Sequence, residues 1–126
     1  MKLALFAYRD VGYKCLKYLI RIRYLPSLVI VPENERKKNN IFKLVSKLAE
    51  KYNIKLLYYS NQKAHRKILF DKIKRIDPEH GISTYFPFII ENRVIQLFKH
   101  GVVNIHGGLL PNYRGTFSSV WSIINN

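Results

Sequence analysis

Short apolar runs alternate with apolar stripes at helical spacing along the whole chain, and that alternation leaves few folds open. Lys2 to Tyr8 is a brief apolar run that ends at a turn, as a buried strand does. Asp10 is placed to cap a helix in which Val11, Cys15, Leu16, Leu19 and Ile20 share a face. Pro26 and Ser27 stop that helix, Leu28 to Val31 reads as a second strand, and the polar stretch Pro32 to Asn40 reads as a surface loop. Ile41, Leu44, Val45, Leu48 and Ala49 form the next stripe, and Ile54 to Tyr59 the third strand. Ile68, Leu69, Ile73 and Ile76 mark a third helix, stopped before Pro78. Gly81 to Phe86 is expected as a fourth strand, Asn92 to Phe98 as a short helix, Val102 to Ile105 as a fifth strand and Ser118 to Ile124 as a last helix. Strand and helix in strict alternation call for an α/β fold, a Rossmann-like parallel sheet flanked by helices. Neither a repeat nor a linker interrupts the pattern, so one domain is expected over residues 1–126.

Composition narrows the function classes. A hydrophobic content of 48% with 13% aromatic residues supplies a core and argues against disorder, even with 22 Lys and Arg against 8 Asp and Glu, a net charge of +14. The longest apolar runs, such as Leu28 to Val31 and Phe86 to Ile90, fall far short of the roughly 18 to 20 residues of a membrane span. Tyr8, Arg9 and Asp10 cut the N-terminal apolar stretch too short for a signal peptide. Cys15, the single cysteine, has no internal partner, which fits a reducing compartment; a cytoplasmic location is expected. The basic residues form a dispersed coat: Lys14, Lys17, Arg21 and Arg23, then Arg36, Lys37, Lys38, Lys43, Lys47 and Lys51, then Lys63, Arg66, Lys67, Lys72, Lys74 and Arg75. Such a coat attracts any polyanion, but solvated lysine-rich faces account for it more often than a dedicated nucleic-acid site does. Homo-oligomerisation is left open.

Ligands of such sheets collect outside the carboxyl ends of the strands. Three segments fall there: Tyr8 to Gly12, Phe86 to Glu91 and Asn104 to Gly115. The first has only Gly12 where a dinucleotide fingerprint needs three spaced glycines. There is no Walker loop, no nucleophile elbow and no paired-cysteine spacing, so no metal is expected. Asn104 and His106 share one side of the fifth strand by its period of two. An amide beside an imidazole can polarise a carbonyl and stabilise the negative oxygen that forms when a nucleophile adds to it. Gly107 and Gly108 are expected to leave room for a substrate, with Pro111 fixing the loop beyond. A hydrogen-bonded histidine at a strand end, followed by a plain glycine turn, is the competing account.

The stretch Gly101 to Gly115, with Asn104, His106, Leu109-Leu110-Pro111 and Tyr113-Arg114-Gly115, closely resembles the signature of the folate-dependent formyltransferases. The resemblance continues upstream through Thr84-Tyr-Phe-Pro-Phe-Ile-Ile-Glu-Asn-Arg-Val-Ile95. Phe6-Ala-Tyr-Arg-Asp-Val-Gly12 looks most like the sugar-nucleotide branch, whose members include a domain acting on UDP-4-amino-4-deoxy-L-arabinose, and lacks the Phe-Gly-Thr-Pro turn usual in the methionyl-tRNA branch. The resemblance implies transfer of a formyl group from 10-formyltetrahydrofolate to the primary amine of an amino-sugar nucleotide. It also implies that Asn104 holds the formyl oxygen while His106 moves a proton. Phe88, Ile89 and Ile90 fall where the family lines its pterin pocket, though core packing explains Ile89 at least as well. Leu110 and Pro111 fall in the loop bordering folate and acceptor. By analogy Tyr8, Arg9 and Asp10 lie near the acceptor, Asp10 having the capping role as an equal alternative. Arg114 is a candidate phosphate contact or a scaffold residue.

Two departures from the family stand out. Its third catalytic residue is an Asp well beyond the Tyr-Arg-Gly loop, and none of the acidic residues here lies in a matching position. The expectation is an incomplete formyltransferase domain, the N-terminal catalytic domain without its C-terminal part, with impaired or absent activity. Gly107-Gly108 also stands where the family more often has Gly-Ser or Pro-Ser. The competing functions are a methionyl-tRNA formyltransferase, which the charge alone favours, and a noncatalytic basic fragment that binds folate or nucleotide.

Overall fold

The computed structural model describes residues 1–34, 40–115 and 118–125. The molecule is organised around β1 (Leu3–Ala7), all of whose residues are buried because helices cover both its faces. Leu3, Leu5 and Ala7 join the layer of α1 (Arg9–Arg21) and α2 (Asn40–Lys51). Ala4 and Phe6 join the layer of α3 (Lys63–Ile76) and α4 (Asn92–Ile95). The other strands are β2 (Leu28–Pro32), β3 (Lys55–Tyr59), β4 (His80–Thr84) and β5 (Val102–Ile105), and α5 (Ser118–Ile124) follows the last of them. Every strand pair is parallel and the order is β3-β2-β1-β4-β5. The polypeptide thus runs outward from β1 to β3, then returns across β1 to lay down β4 and β5. Strand order reverses between β1 and β4, and a crevice opens at such a switch point.

The register makes one row across the sheet informative. Leu57, Ile30, Phe6, Ser83 and Asn104 are successive partners from β3 to β5. Their row faces the α3 and α4 layer, where Leu57, Ile30 and Phe6 are core residues. It turns polar at Ser83 and Asn104. Phe6 is completely buried and meets Phe86 edge-on at 5.4 Å and Phe98 at 6.1 Å, so the core reaches up to the polar end of the row and stops. On the opposite face of β5, Val103 is 66% exposed. Gly12 brings α1 down onto the end of β1: a Cβ there would lie 2.8 Å from the backbone carbonyl carbon and the Cα of Ala7.

Several strand boundaries shift by a single residue from the sequence expectation, and three further differences have a local reason. β4 ends at Thr84 rather than Phe86, because Tyr85 takes a left-handed φ of 51° that leads the backbone out of the sheet. α4 ends at Ile95, and the next residues close tighter i to i+3 turns, Leu97 N–H to Val94 O at 3.1 Å and Phe98 N–H to Ile95 O at 3.0 Å. α1 begins at Arg9, so its N-cap is Tyr8 and not Asp10. Asp10 lies in the first turn, where its charge suits the helix dipole, and pairs with Lys14 at 2.7 Å. Of the loop expected at 32–40, residues 35–39 lie outside the described residues, and Arg36, Lys37 and Lys38 with them.

Candidate active site

The switch point between β1 and β4 is flanked by the β1–α1 turn and by the exit of β4. Both exits are strained. Among the described residues five besides glycine have positive φ; Arg23, Asn53 and Asp77 follow helix ends, where such a conformation is the usual terminator. The other two are Arg9 (φ 48°) and Tyr85 (φ 51°), one after each of the two strands that meet at the switch point. Each costs on the order of 1–3 kcal/mol and persists only where the surroundings over-determine it, a pattern that concentrates at functional sites.

Asn104 is exposed on the penultimate position of β5, in register with Ser83, and shares the sheet face on which Phe86, Phe88 and Ile90 pack. His106 is the first residue past the strand and is half-buried. Its Nε2 lies 2.6 Å from the carbonyl oxygen of Tyr113. A carbonyl can only accept, so Nε2 carries the proton and the lone pair of the neutral ring sits on Nδ1. The loop that reaches back to the histidine is closed by Tyr113 N–H donating to Leu109 O at 2.9 Å, and its Leu110–Pro111 peptide is cis. Gly107 and Gly108 do not leave space for a substrate in the direction of their missing side chains. A Cβ on Gly107 would meet the Tyr85 hydroxyl at 2.6 Å, and one on Gly108 would meet Tyr113 Cβ at 2.7 Å and Ser118 Cβ at 2.9 Å. Glycine at both positions lets the loop pack tightly against its own neighbours.

The segment after β4 forms a wall on the face of Asn104. Phe88 stacks on Tyr59 at 5.0 Å, Phe86 meets the same ring edge-on at 5.5 Å, and the Tyr59 hydroxyl donates to Ile89 O at 3.3 Å. Burial, and then the nearby Glu91 charge, push the Tyr59 hydroxyl pKa up, so it stays a donor. Glu91 is gripped by Arg93 Nε and Arg66 Nη1, each at 2.6 Å; the Arg93 hydrogen bond leads in holding its carboxyl below the usual range. Ile90 is half-buried against the core, but Ile89 is 89% exposed, which rules out core packing as its role. Leu110 and Pro111 are exposed as well. Beside Phe88 and Tyr59 opens a groove of about 500 Å³, also lined by Asn34, Ser60, Gln62 and His65.

On the other flank, Tyr8 is half-buried, Arg9 is exposed with its guanidinium 4.9 Å from the Tyr8 ring centre, and Asp10 is engaged by Lys14. Arg114 is exposed on the loop after β5. Burial raises the pKa of the half-buried Cys15, which makes it a poor nucleophile. Among the described residues no group of three His, Cys, Asp or Glu is placed to hold a metal, and no helix is long and apolar enough to cross a membrane. Sequence reasoning missed Tyr85, Tyr59 and Glu91. The first had no local signal, since positive φ is not expected of an aromatic residue; Tyr59 acts through Phe88 and Ile89, and Glu91 through Arg66 as well as its neighbour Arg93, so both depend on contacts distant in sequence.

A parallel sheet carries a polar amide and a tethered imidazole at the end of one strand, an aromatic wall on the same face and strained exits at the switch point, and together these make an α/β domain with a candidate site at that end. The sequence profile of the formyl transferase family matches residues 30–125, and the chain belongs to that family. The bifunctional polymyxin resistance protein ArnA of Wigglesworthia glossinidia brevipalpis is 32% identical over 126 residues, which are 99% of this chain and 19% of that protein. Among solved structures, the phosphoribosylglycinamide formyltransferase of Bacillus halodurans superposes with a TM-score of 0.75 at 16% identity, covering 100% of this chain and 66% of that one. Glycinamide ribonucleotide transformylase 1 of Geobacillus kaustophilus gives 0.74 at 16%, covering 99% and 68%. These structures share the fold.

Proposed function

We propose that this chain forms the catalytic half-site of a formyl transfer from 10-formyltetrahydrofolate to the primary amine of an amino-sugar nucleotide. The observation that carries the reading is the exit of β5, where Asn104 lies on the face of the aromatic wall and His106 is tethered through Nε2 to Tyr113 O. The side-chain amide of Asn104 donates to the formyl oxygen and stabilises the charge that grows there as the amine adds. His106 accepts the proton lost by the attacking amine at Nδ1, the nitrogen that its tautomer leaves free, and returns it to the departing nitrogen. The tether keeps that tautomer in place during both transfers.

The residues present suit the donor. A folate is a planar, hydrogen-bonding heterocycle with apolar faces, and Ile89 and Leu110 offer apolar surface that the core leaves unused. Phe88 and Ile90 fix the backbone between and around them by packing inward. When bound, 10-formyltetrahydrofolate supplies the formyl carbon as an activated N-acyl group. Tyr8, Arg9, Asp10 and Arg114 then stand on the acceptor side, with Arg9 and Arg114 offering exposed guanidinium groups to a diphosphate.

The likeness to the polymyxin resistance protein and the β1–α1 turn support this choice of acceptor. The test is a single-turnover incubation of equimolar protein, donor and acceptor, read by mass spectrometry so that slow transfer also registers. The amino-sugar nucleotide should gain a formyl group, and Asn104→Ala and His106→Ala should each abolish that gain. Formylation of methionyl-tRNA or glycinamide ribonucleotide alone would overturn the acceptor assignment. A second reading, with tRNA as acceptor, rests on the net charge of +14 and predicts the first of those outcomes. Donor binding without transfer to any acceptor would leave a noncatalytic binder and sink the catalytic reading.

A further inference from the structure

One residue at the exit of β4 holds the backbone on both sides of His106. The Tyr85 amide donates to Ile105 O at 3.2 Å, immediately before the histidine. Its ring lies against Gly107, immediately after it, close enough that a Cβ on Gly107 would sit 2.6 Å from the hydroxyl and 2.9 Å from Cε1. Tyr85 reaches this position only by adopting φ 51°, and it follows Thr84, whose buried hydroxyl donates to Phe6 O at 3.0 Å. The anchored strand end, the left-handed turn and the ring contact therefore form one unit. Its target is the backbone of a residue whose side chain is already held, at Nε2, by Tyr113 O.

We propose that Tyr85 is a positioning residue for His106: its amide and ring clamp positions 105 and 107, and so fix the height at which Nε2 meets the Tyr113 carbonyl. The clamp sets the histidine tautomer, and it rests on the transfer reading only for what Nδ1 then does. It works through the backbone amide and the distal end of the ring, where Cε1 and Cζ stay beside Gly107 when the hydroxyl is removed, so no hydrogen bond of the hydroxyl is required. A role for the hydroxyl in contacting substrate would make the opposite demand.

The experiment is a long-range proton–nitrogen spectrum of the 126-residue protein labelled at its 4 histidines, recorded where the rings are neutral, with His106→Gln assigning the signal. In the unaltered protein and in Tyr85→Phe, His106 should show well-separated nitrogen shifts with the proton on Nε2. Tyr85→Gly removes the ring and relieves the strain; there the preference for Nε2–H should drop about threefold or more as the hydrogen bond to Tyr113 loosens. His65, His80 and His100 should be unchanged, which a general loss of structure would not allow. Gly107→Ala presses a methyl into the same ring from the other side and should disturb the His106 signal even if Tyr85→Gly fails to fold. A His106 pattern indifferent to both variants in folded protein overturns the proposal, and so does its loss in Tyr85→Phe. No substrate enters these spectra, so failure of formyl transfer and failure of the clamp are read separately.

Discussion

Gly12→Ala sets two effects of known size against each other where α1 meets the end of β1. In an open helix the change is favourable, by at most about 1 kcal/mol from helix propensity. Here the new methyl would lie 2.8 Å from the carbonyl carbon and Cα of Ala7 and 2.9 Å from its Cβ, whereas ordinary contact begins at 3.4 Å. The atoms it meets belong to a fully buried strand hydrogen-bonded on both sides, so they cannot retreat as a flexible side chain would. α1 must move instead, and it would carry the strained Tyr8–Arg9 turn with it. Overpacking of this kind costs about 1–3 kcal/mol, and three simultaneous overlaps put it at the upper end. The net expectation is a destabilisation of about 1–2 kcal/mol, a fall in Tm of several degrees. Urea and thermal unfolding followed by far-UV circular dichroism would measure it. A variant as stable as the parent, or more so, would show that propensity outweighs the close approach and that the helix is not seated as described.

Other perturbations bear on the same frame. Phe6→Ala, which removes a fully buried ring touching Phe86 and Phe98, should cost about 3–5 kcal/mol in denaturant unfolding; a loss under 1 kcal/mol would mean that the core does not reach the switch point. Because Glu91 has its pKa lowered in the folded state, chiefly by Arg93, its contribution to stability is present above the ordinary carboxylate pKa of about 4.3 and is lost as pH falls through the lower folded value. Glu91→Gln should therefore be less stable than the parent near neutrality and converge with it in acid, and a gap that widens on acidification would contradict the pairing. Asn104→Ala should leave Tm nearly unaltered, since the residue is exposed, and His106→Ala should cost no more than the roughly 0.5–1.5 kcal/mol of its hydrogen bond to Tyr113, while both remove formyl transfer. Cys15, whose pKa is raised by burial, should react with a thiol probe several-fold more slowly in folded than in unfolded protein, and equal rates would refute that.

The strands and helices were legible in the sequence because each of them advertises its own burial. β1 and β2 are continuous apolar runs, as strands covered on both faces must be, and the stripes of α1, α2 and α3 show the period of a helix with one side in the core. The Asn104 to Gly115 motif was equally visible, as was the resemblance it carries. What depends on two distant segments meeting was not. Tyr85 looked like the continuation of a strand because nothing in an aromatic residue announces a left-handed turn, and the glycines after His106 looked like space for a ligand, whereas a ring from the end of β4 lies beside one of them. Ile89 fitted the core at least as well as a pocket lining, and only the inward turn of Phe88 and Ile90 leaves it outside. Local order follows from the periodicity of apolar residues and can be read along the sequence. The strand order that sets β4 between β1 and β5, the row that passes from Phe6 to Asn104 and the carbonyl that selects the His106 tautomer exist only once the crossover has been made.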